Sequence, residues 1–287
     1  MVILLGLAAA VLYGSGDFLG GLAARRAHVL MVLMLAEGAG AAVALAAAAI
    51  SPAPASLAGL AWGTGAGLIG GLGLIVFYTG LAAGPMSVVA PVSGLVSTVL
   101  PVAVALAEGE RPGAGVYAGA LLCLVAIVLA SSAGDAGDAG GPRRPGRPGR
   151  GRAIAYGVVS GASFGLFFLL IRNAGQSGEL WPVAAARIGE LAVVLAVAAV
   201  LGRRLRPRRA GGSLLLVAAG AGMIDVVANI CYVAATRTGQ FGLAVVLASL
   251  YPGVTVLLAR VVLGERLRWV QRAGLGLAAI GIMLVAA

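Results

Sequence analysis

The chain has 287 residues, 61% of them hydrophobic and only 10% charged, whereas a typical soluble domain is roughly a quarter charged. Its mean hydropathy of +1.05, with apolar runs set nearly end to end, excludes a soluble globule and indicates a polytopic membrane protein. The net charge of +10 comes from arginine alone, since the sequence contains no lysine; because the arginines cluster between apolar runs, they report membrane topology and not nucleic-acid binding.

Ten spans are expected, at about 2–22, 29–50, 57–82, 86–107, 113–132, 153–171, 181–202, 212–235, 241–262 and 269–286. Strand-type alternation is absent, and a helix satisfies its own backbone groups in lipid, so the expected class is all-α. The first span lacks a basic leader and a cleavage site and reads as a retained helix, not a signal peptide. It carries Tyr13 and Asp17, and the second span carries Glu37. In the third, Gly59, Gly63, Gly67 and Gly71 recur every four residues, a stripe on which another helix can pack closely. Tyr78 lies near its end.

The fourth span holds Ser93 and Ser97 with Pro91 and Pro101, and the fifth holds Cys123. Residues 132–152, SAGDAGDAGGPRRPGRPGRGR, form a solvated linker between two halves of five spans, 1–132 and 153–287. Ser160 and Ser163 follow in the sixth span and the pair Arg187/Glu190, three residues apart, in the seventh. In the eighth, Asp225, Asn229, Tyr232 and Thr236 follow at spacings of four, three and four and share one helix stripe. Ser249 and Pro252 lie in the ninth, and Pro91, Pro101 and Pro252 should each kink or open their helix. The serines should bond mostly to their own helices.

The halves repeat. Residues 77–112, FYTGLAAGPMSVVAPVSGLVSTVLPVAVALAEGERP, parallel 231–267, CYVAATRTGQFGLAVVLASLYPGVTVLLARVVLGERL, at an offset of about 154, with Tyr78 opposite Tyr232 and both segments ending on Gly-Glu-Arg. Five spans per half would send the second half into the membrane in the opposite sense, an inverted-topology repeat. Loops after odd-numbered spans hold Arg25, Arg26, Arg143, Arg144, Arg147, Arg150, Arg152, Arg203, Arg204, Arg206, Arg208, Arg209, Arg266 and Arg268, whereas those after even-numbered spans hold Arg111 and Arg237. The odd loops are therefore expected to be cytoplasmic and both termini non-cytoplasmic.

YGSGDFLGGLAARR at 13–26, AAGPMSVVAPVSGL at 82–95 and ASLYPGVTVLLARVVLGERL at 248–267 resemble segments of the EamA-type transporters of the drug/metabolite transporter superfamily. With the Gly-Glu-Arg ends aligned, Pro252 falls opposite Ser97 and not opposite Pro101, a departure from strict duplication. The resemblance implies two five-helix repeats and a central cavity lined by the first four helices of each. It also implies that the fifth and tenth helices pack outside that cavity, and that the substrate is a small metabolite or drug.

An ionisable group at a helix centre costs about 2.5–3.5 kcal/mol to insert and is normally turned to a cavity or a partner. Asp17, Glu37, Arg187, Glu190 and Asp225 are therefore candidate substrate- or ion-binding residues, joined by Tyr13, Tyr78, Asn229 and Tyr232. Asp17 and Asp225 are the first choices for a proton or cation, and Arg187 for charge balance or a substrate carboxylate. The packing alternative, in which Arg187 neutralises neighbouring acids, stays open.

Catalysis is not indicated. GASFG at 161–165 matches a G-x-S-x-G string without the strand-turn-helix setting, and the sole histidine, His28, sits at a span boundary. Without lysine there is no P-loop, and no spacing of His and Cys suggests a metal, nor do Asp135 and Asp138 suffice for calcium. No cofactor is expected. The expected function is secondary transport in the plasma membrane, export of a small organic molecule by alternating access with proton coupling. An uncoupled facilitator or exchanger, and a non-transporting scaffold or receptor, are the alternatives.

Overall fold

The computed structural model describes residues 1–83, 86–109, 113–115, 117–119, 121–122, 125, 129, 150–175, 180–201, 211–238, 241–262 and 269–286. Cys123, most of the predicted linker, the basic segment 202–210 and the paired Glu-Arg dipeptides at 110–111 and 265–266 lie outside the described residues.

The described residues are mostly helical, and no strand occurs among them. The elements are α1 (Val2–Ala24), α2 (Val29–Ile50), α3 (Leu57–Ala83), α4 (Met86–Ala107), α5 (Arg150–Gly175), α6 (Trp181–Leu201), α7 (Gly212–Thr236), α8 (Phe241–Ala248), α9 (Tyr251–Val262) and α10 (Trp269–Ala286). Among the described residues, eight helical segments are long and apolar enough to cross a membrane, α8 and α9 counting as one. At 1.5 Å per residue, the 23 residues of α1 reach about 35 Å, more than the ~30 Å hydrocarbon core. Apolar side chains face outward, as Val99 at 68% and Leu72 at 53% exposure show, while acids and an arginine are buried inside. That inversion of the soluble pattern suits a lipid surround.

Local sequence explains several boundaries. His28, the lone histidine, caps α2 by accepting the Leu30 N–H on Nδ1 at 3.3 Å. Gly109 follows α4 at φ +91°, a left-handed conformation that favours glycine. α5 begins at Arg150, three residues ahead of the expected start of the span.

The ninth span is broken: α8 ends at Ala248 and α9 starts at Tyr251. Pro252 has no N–H to offer the Ala248 carbonyl four residues back, so the α-ladder cannot continue there. The Gly253 and Leu250 amides turn instead to Leu250 O and Leu247 O, at 2.9 and 3.2 Å. By contrast α4 runs as one element through Pro91 and Pro101.

Most packing joins the first half of the chain to the second. α3 lies on α5 and α6, α7 lies on α1 and α2, α4 packs on α5, and α1 packs on α8 and α9. Under the 154-residue correspondence α1 to α4 match α5, α6, α7 and the α8–α9 pair, so these contacts form exchanged pairs. Glycine allows the closest approaches. A Cβ on Gly63 or Gly67 of α3 would strike the Pro182 or Ala186 backbone of α6, and one on Gly71 would meet Glu190 backbone atoms at 3.0 Å. A Cβ on Gly222 of α7 would strike the Ala36 backbone of α2 in the same way.

Candidate functional site

Three tightly packed helices carry a buried charge cluster between them. Arg187, 1% exposed, projects from the heavily buried first turns of α6 toward α2 and α7. Its Nη1 donates to Glu37 Oε2 at 2.9 Å, and its Nη2 donates to Asp225 Oδ2. Glu190 Oε2 also lies 2.9 Å from Nη1, as an ion pair without hydrogen-bond geometry.

The cluster continues to α1 through an amide. Asn229, one turn beyond Asp225, donates from Nδ2 to the Asp225 carbonyl at 3.1 Å and lies 3.4 Å from Asp225 Oδ2. Its Oδ1 accepts the Tyr13 hydroxyl at 2.8 Å. The four-residue step of the eighth-span stripe is what allows one helix to hold Arg187 and Tyr13 at once. Asp17, one turn along α1 from Tyr13 and 9% exposed, has no hydrogen-bond or ion-pair partner among the described residues.

Arg187, Glu190, Asp225, Asn229, Tyr13 and Asp17 border a cavity of about 50 Å³ whose remaining wall is Leu74, Phe164, Phe167, Phe168 and Tyr251. Since about 10–15 Å³ is enough to admit one water, it has room for a few. Apolar clusters flank the site on both sides. One gathers Leu30, Leu33, Phe77, Leu81 and Val89 near the C-terminal end of α1. The other gathers Phe168, Tyr232, Phe241 and Val245 toward the opposite end. Beyond the second cluster a wider recess of about 360 Å³ is lined by Met1, Leu5, Leu180, Ile230, Val233, Ala234, Arg237 and Thr238.

Of the nine residues expected from sequence, the structure gathers seven: Tyr13, Asp17, Glu37, Arg187, Glu190, Asp225 and Asn229. Tyr78 and Tyr232 lie elsewhere. Tyr78 presses its ring onto Gly20 and stands edge-on to Phe77 at 6.0 Å. Tyr232 tilts against Phe168 at 4.7 Å and donates to the Phe168 carbonyl at 3.4 Å. Thr236, last on the stripe, bonds to Val233 O of its own helix at 2.8 Å. The serines are largely back-bonded in the same manner, as with Ser163 to Val159 O at 3.1 Å and Ser249 to Val245 O at 2.7 Å.

Sequence reasoning missed the aromatic wall. Two signals were present: Phe167 stands 154 residues after Tyr13, and Tyr251 immediately precedes the helix-breaking Pro252. The break in the ninth span makes Tyr251 the first residue of α9 and sets it against the cavity. No group of three or more His, Cys, Asp or Glu residues suited to a metal occurs among the described residues.

Comparison with known proteins gives a family match over part of the chain and a shared fold. Residues 151–287 match the EamA-like transporter family. No curated protein matches the chain by sequence. One solved crystal structure matches 99% of this chain and 95% of its own at 20% identity, with a TM-score of 0.72. At that identity the likeness shows a shared fold alone.

Proposed function

We propose that this chain, whose residues 151–287 match the EamA-like transporter family, is a secondary transporter moving a small organic molecule outward across the plasma membrane. In this reading ten helices form two inverted repeats, residues 1–132 and 153–287, joined by a cytoplasmic linker at 133–152. The arginine distribution supports cytoplasmic odd loops and external termini. The exchanged packing of α1–α4 with α5–α9 supports two repeats that rock about a shared site.

One observation carries the reading. A single guanidinium and three carboxyls, drawn from both halves of the chain, meet deep among membrane-spanning helices beside a cavity. One positive charge balances one negative charge, so two of the three carboxyls of Glu37, Glu190 and Asp225 require protons or another cation for the cluster to reach neutrality. Rearranging the helices would change how many carboxyls Arg187 can hold, and so couple proton number to conformation.

The test is transport by the full chain in liposomes. With a pH gradient imposed, a panel of amino acids, organic amines and carboxylates should include a compound that accumulates above equilibrium. Asp225→Asn should abolish that accumulation while the purified variant keeps its helical content. Equilibration without accumulation would replace coupling by facilitated diffusion, and a panel with no compound moved would remove transport itself.

A further inference from the structure

We propose that the substrate presents a cationic ammonium group and that Asp17 is its counter-charge in the cavity. This deepens the transport reading by naming a substrate class for the same site, and it rests on that reading only for what happens after binding.

Three observations converge on it. Asp17 is 9% exposed, borders the cavity and has no partner among the described residues, so its carboxyl is the open valence of the site. A buried carboxylate left unpaired is costly, and a cation delivered to it removes that cost. Next, the wall beside it is aromatic. Tyr13 stands edge-on to Phe168 at 6.0 Å and to Tyr251 at 6.2 Å, and Phe167 adjoins Phe168 at 5.7 Å. Aromatic faces attract an ammonium group and repel an anion. Finally, Arg187 is not available to an anion, because its terminal nitrogens already face Glu37, Glu190 and Asp225.

Size agrees with the assignment. A cavity of about 50 Å³ admits an ammonium head as it stands. An attached organic tail would enter between the rings of Phe168, Tyr13 and Tyr251, which would part to receive it. Arg187 thus acts as the fixed charge of the coupling cluster, and Asp17 as the group that the substrate's charge meets.

Binding to the detergent-solubilised full chain tests this with three probes of one shape: 2-phenylethylammonium, 2-phenylethanol and 3-phenylpropionate. Calorimetric titration should rank the ammonium compound tightest. Asp17→Asn should weaken its binding at least tenfold, Asp17→Glu should restore most of it, and both variants should melt near the parent protein. An unchanged affinity in Asp17→Asn, binding of the carboxylate as tight as that of the amine, or no binding of the amine up to its solubility limit would each overturn the proposal. Because the assay reads binding alone, amine binding without liposome transport would defeat the transport reading and leave this one standing. Uphill transport of a carboxylate would do the reverse.

Discussion

α3 and α7 occupy corresponding places in the two halves, and they differ in what the corresponding positions carry. Each is pinned to its neighbour by glycine, α3 to α6 at Gly63 and Gly67 and α7 to α2 at Gly222. Yet where α7 has Asp225 and Asn229, the positions 154 residues earlier in α3 are Gly71 and Ile75. Arg187 likewise stands opposite Leu33 of α2. The packing scheme is duplicated and the chemistry is not. The polar site therefore lies to one side of these paired contacts, where α1, α2, α6 and α7 converge.

The strongest way to break this contrast is to remove the cation. Arg187→Met leaves Glu37, Glu190 and Asp225 facing one another, and the loss of one partner from a buried ionic group costs about 3–5 kcal/mol. Thermal unfolding of the purified variant should fall steeply, whereas Leu33→Met at the corresponding apolar position should shift it little, by less than about 1.5 kcal/mol. Equal losses at the two sites would erase the distinction.

Next in size is the shared glycine packing. Gly67→Val would drive a side chain into the Ala186 backbone and should cost about 1–3 kcal/mol or more. Gly65, two residues away, has nothing within 4 Å of an added Cβ. Gly65→Ala should therefore be neutral, or stabilising by up to about 1 kcal/mol through its better helix propensity. Gly222→Val in α7 should match Gly67→Val, since this is the feature the two helices have in common.

The hydrogen bond from Tyr13 to Asn229 is finer. Tyr13→Phe should cost about 0.5–1.5 kcal/mol, and a double-mutant cycle with Asn229→Leu should show coupling of at least about 0.5 kcal/mol. Additive losses would mean that α1 and α7 are joined by packing alone.

The smallest effect belongs at the periphery. Arg172 pairs with Glu108 at 2.7 Å and lies 4.1 Å from the Phe241 ring centroid. Glu108 is nearly half exposed, so Glu108→Gln should cost less than about 1 kcal/mol, and less again at high salt. A larger, salt-insensitive loss would make this contact between α4 and α5 a structural element in its own right.

Much of this was legible in the sequence because lipid imposes a simple rule. Hydrocarbon penalises every exposed polar group, so span positions followed from apolar runs and the site candidates from the few ionisable residues inside them. Asp225 and Asn229 were readable as neighbours because helical periodicity alone puts them on one stripe. Tyr232 follows the same periodicity, but its ring packs against Phe168 away from the cavity. Tyr78 ends on Gly20 because that glycine leaves a hollow in α1. No periodicity within one helix reports which face of another helix it will meet.

Composition and hydropathy determined an all-helical protein with several helices apolar enough to cross a membrane, and the likeness of 77–112 to 231–267 could be read at an offset of about 154 residues. Only the tertiary structure decided that Arg187 takes Glu37, 150 residues distant, and Asp225, 38 residues distant, as partners, and that Asp17 has none among the described residues. The reason is that desolvation acts on each residue separately and can be read one position at a time, whereas charge pairing depends on distances between helices that the chain brings together only when it packs.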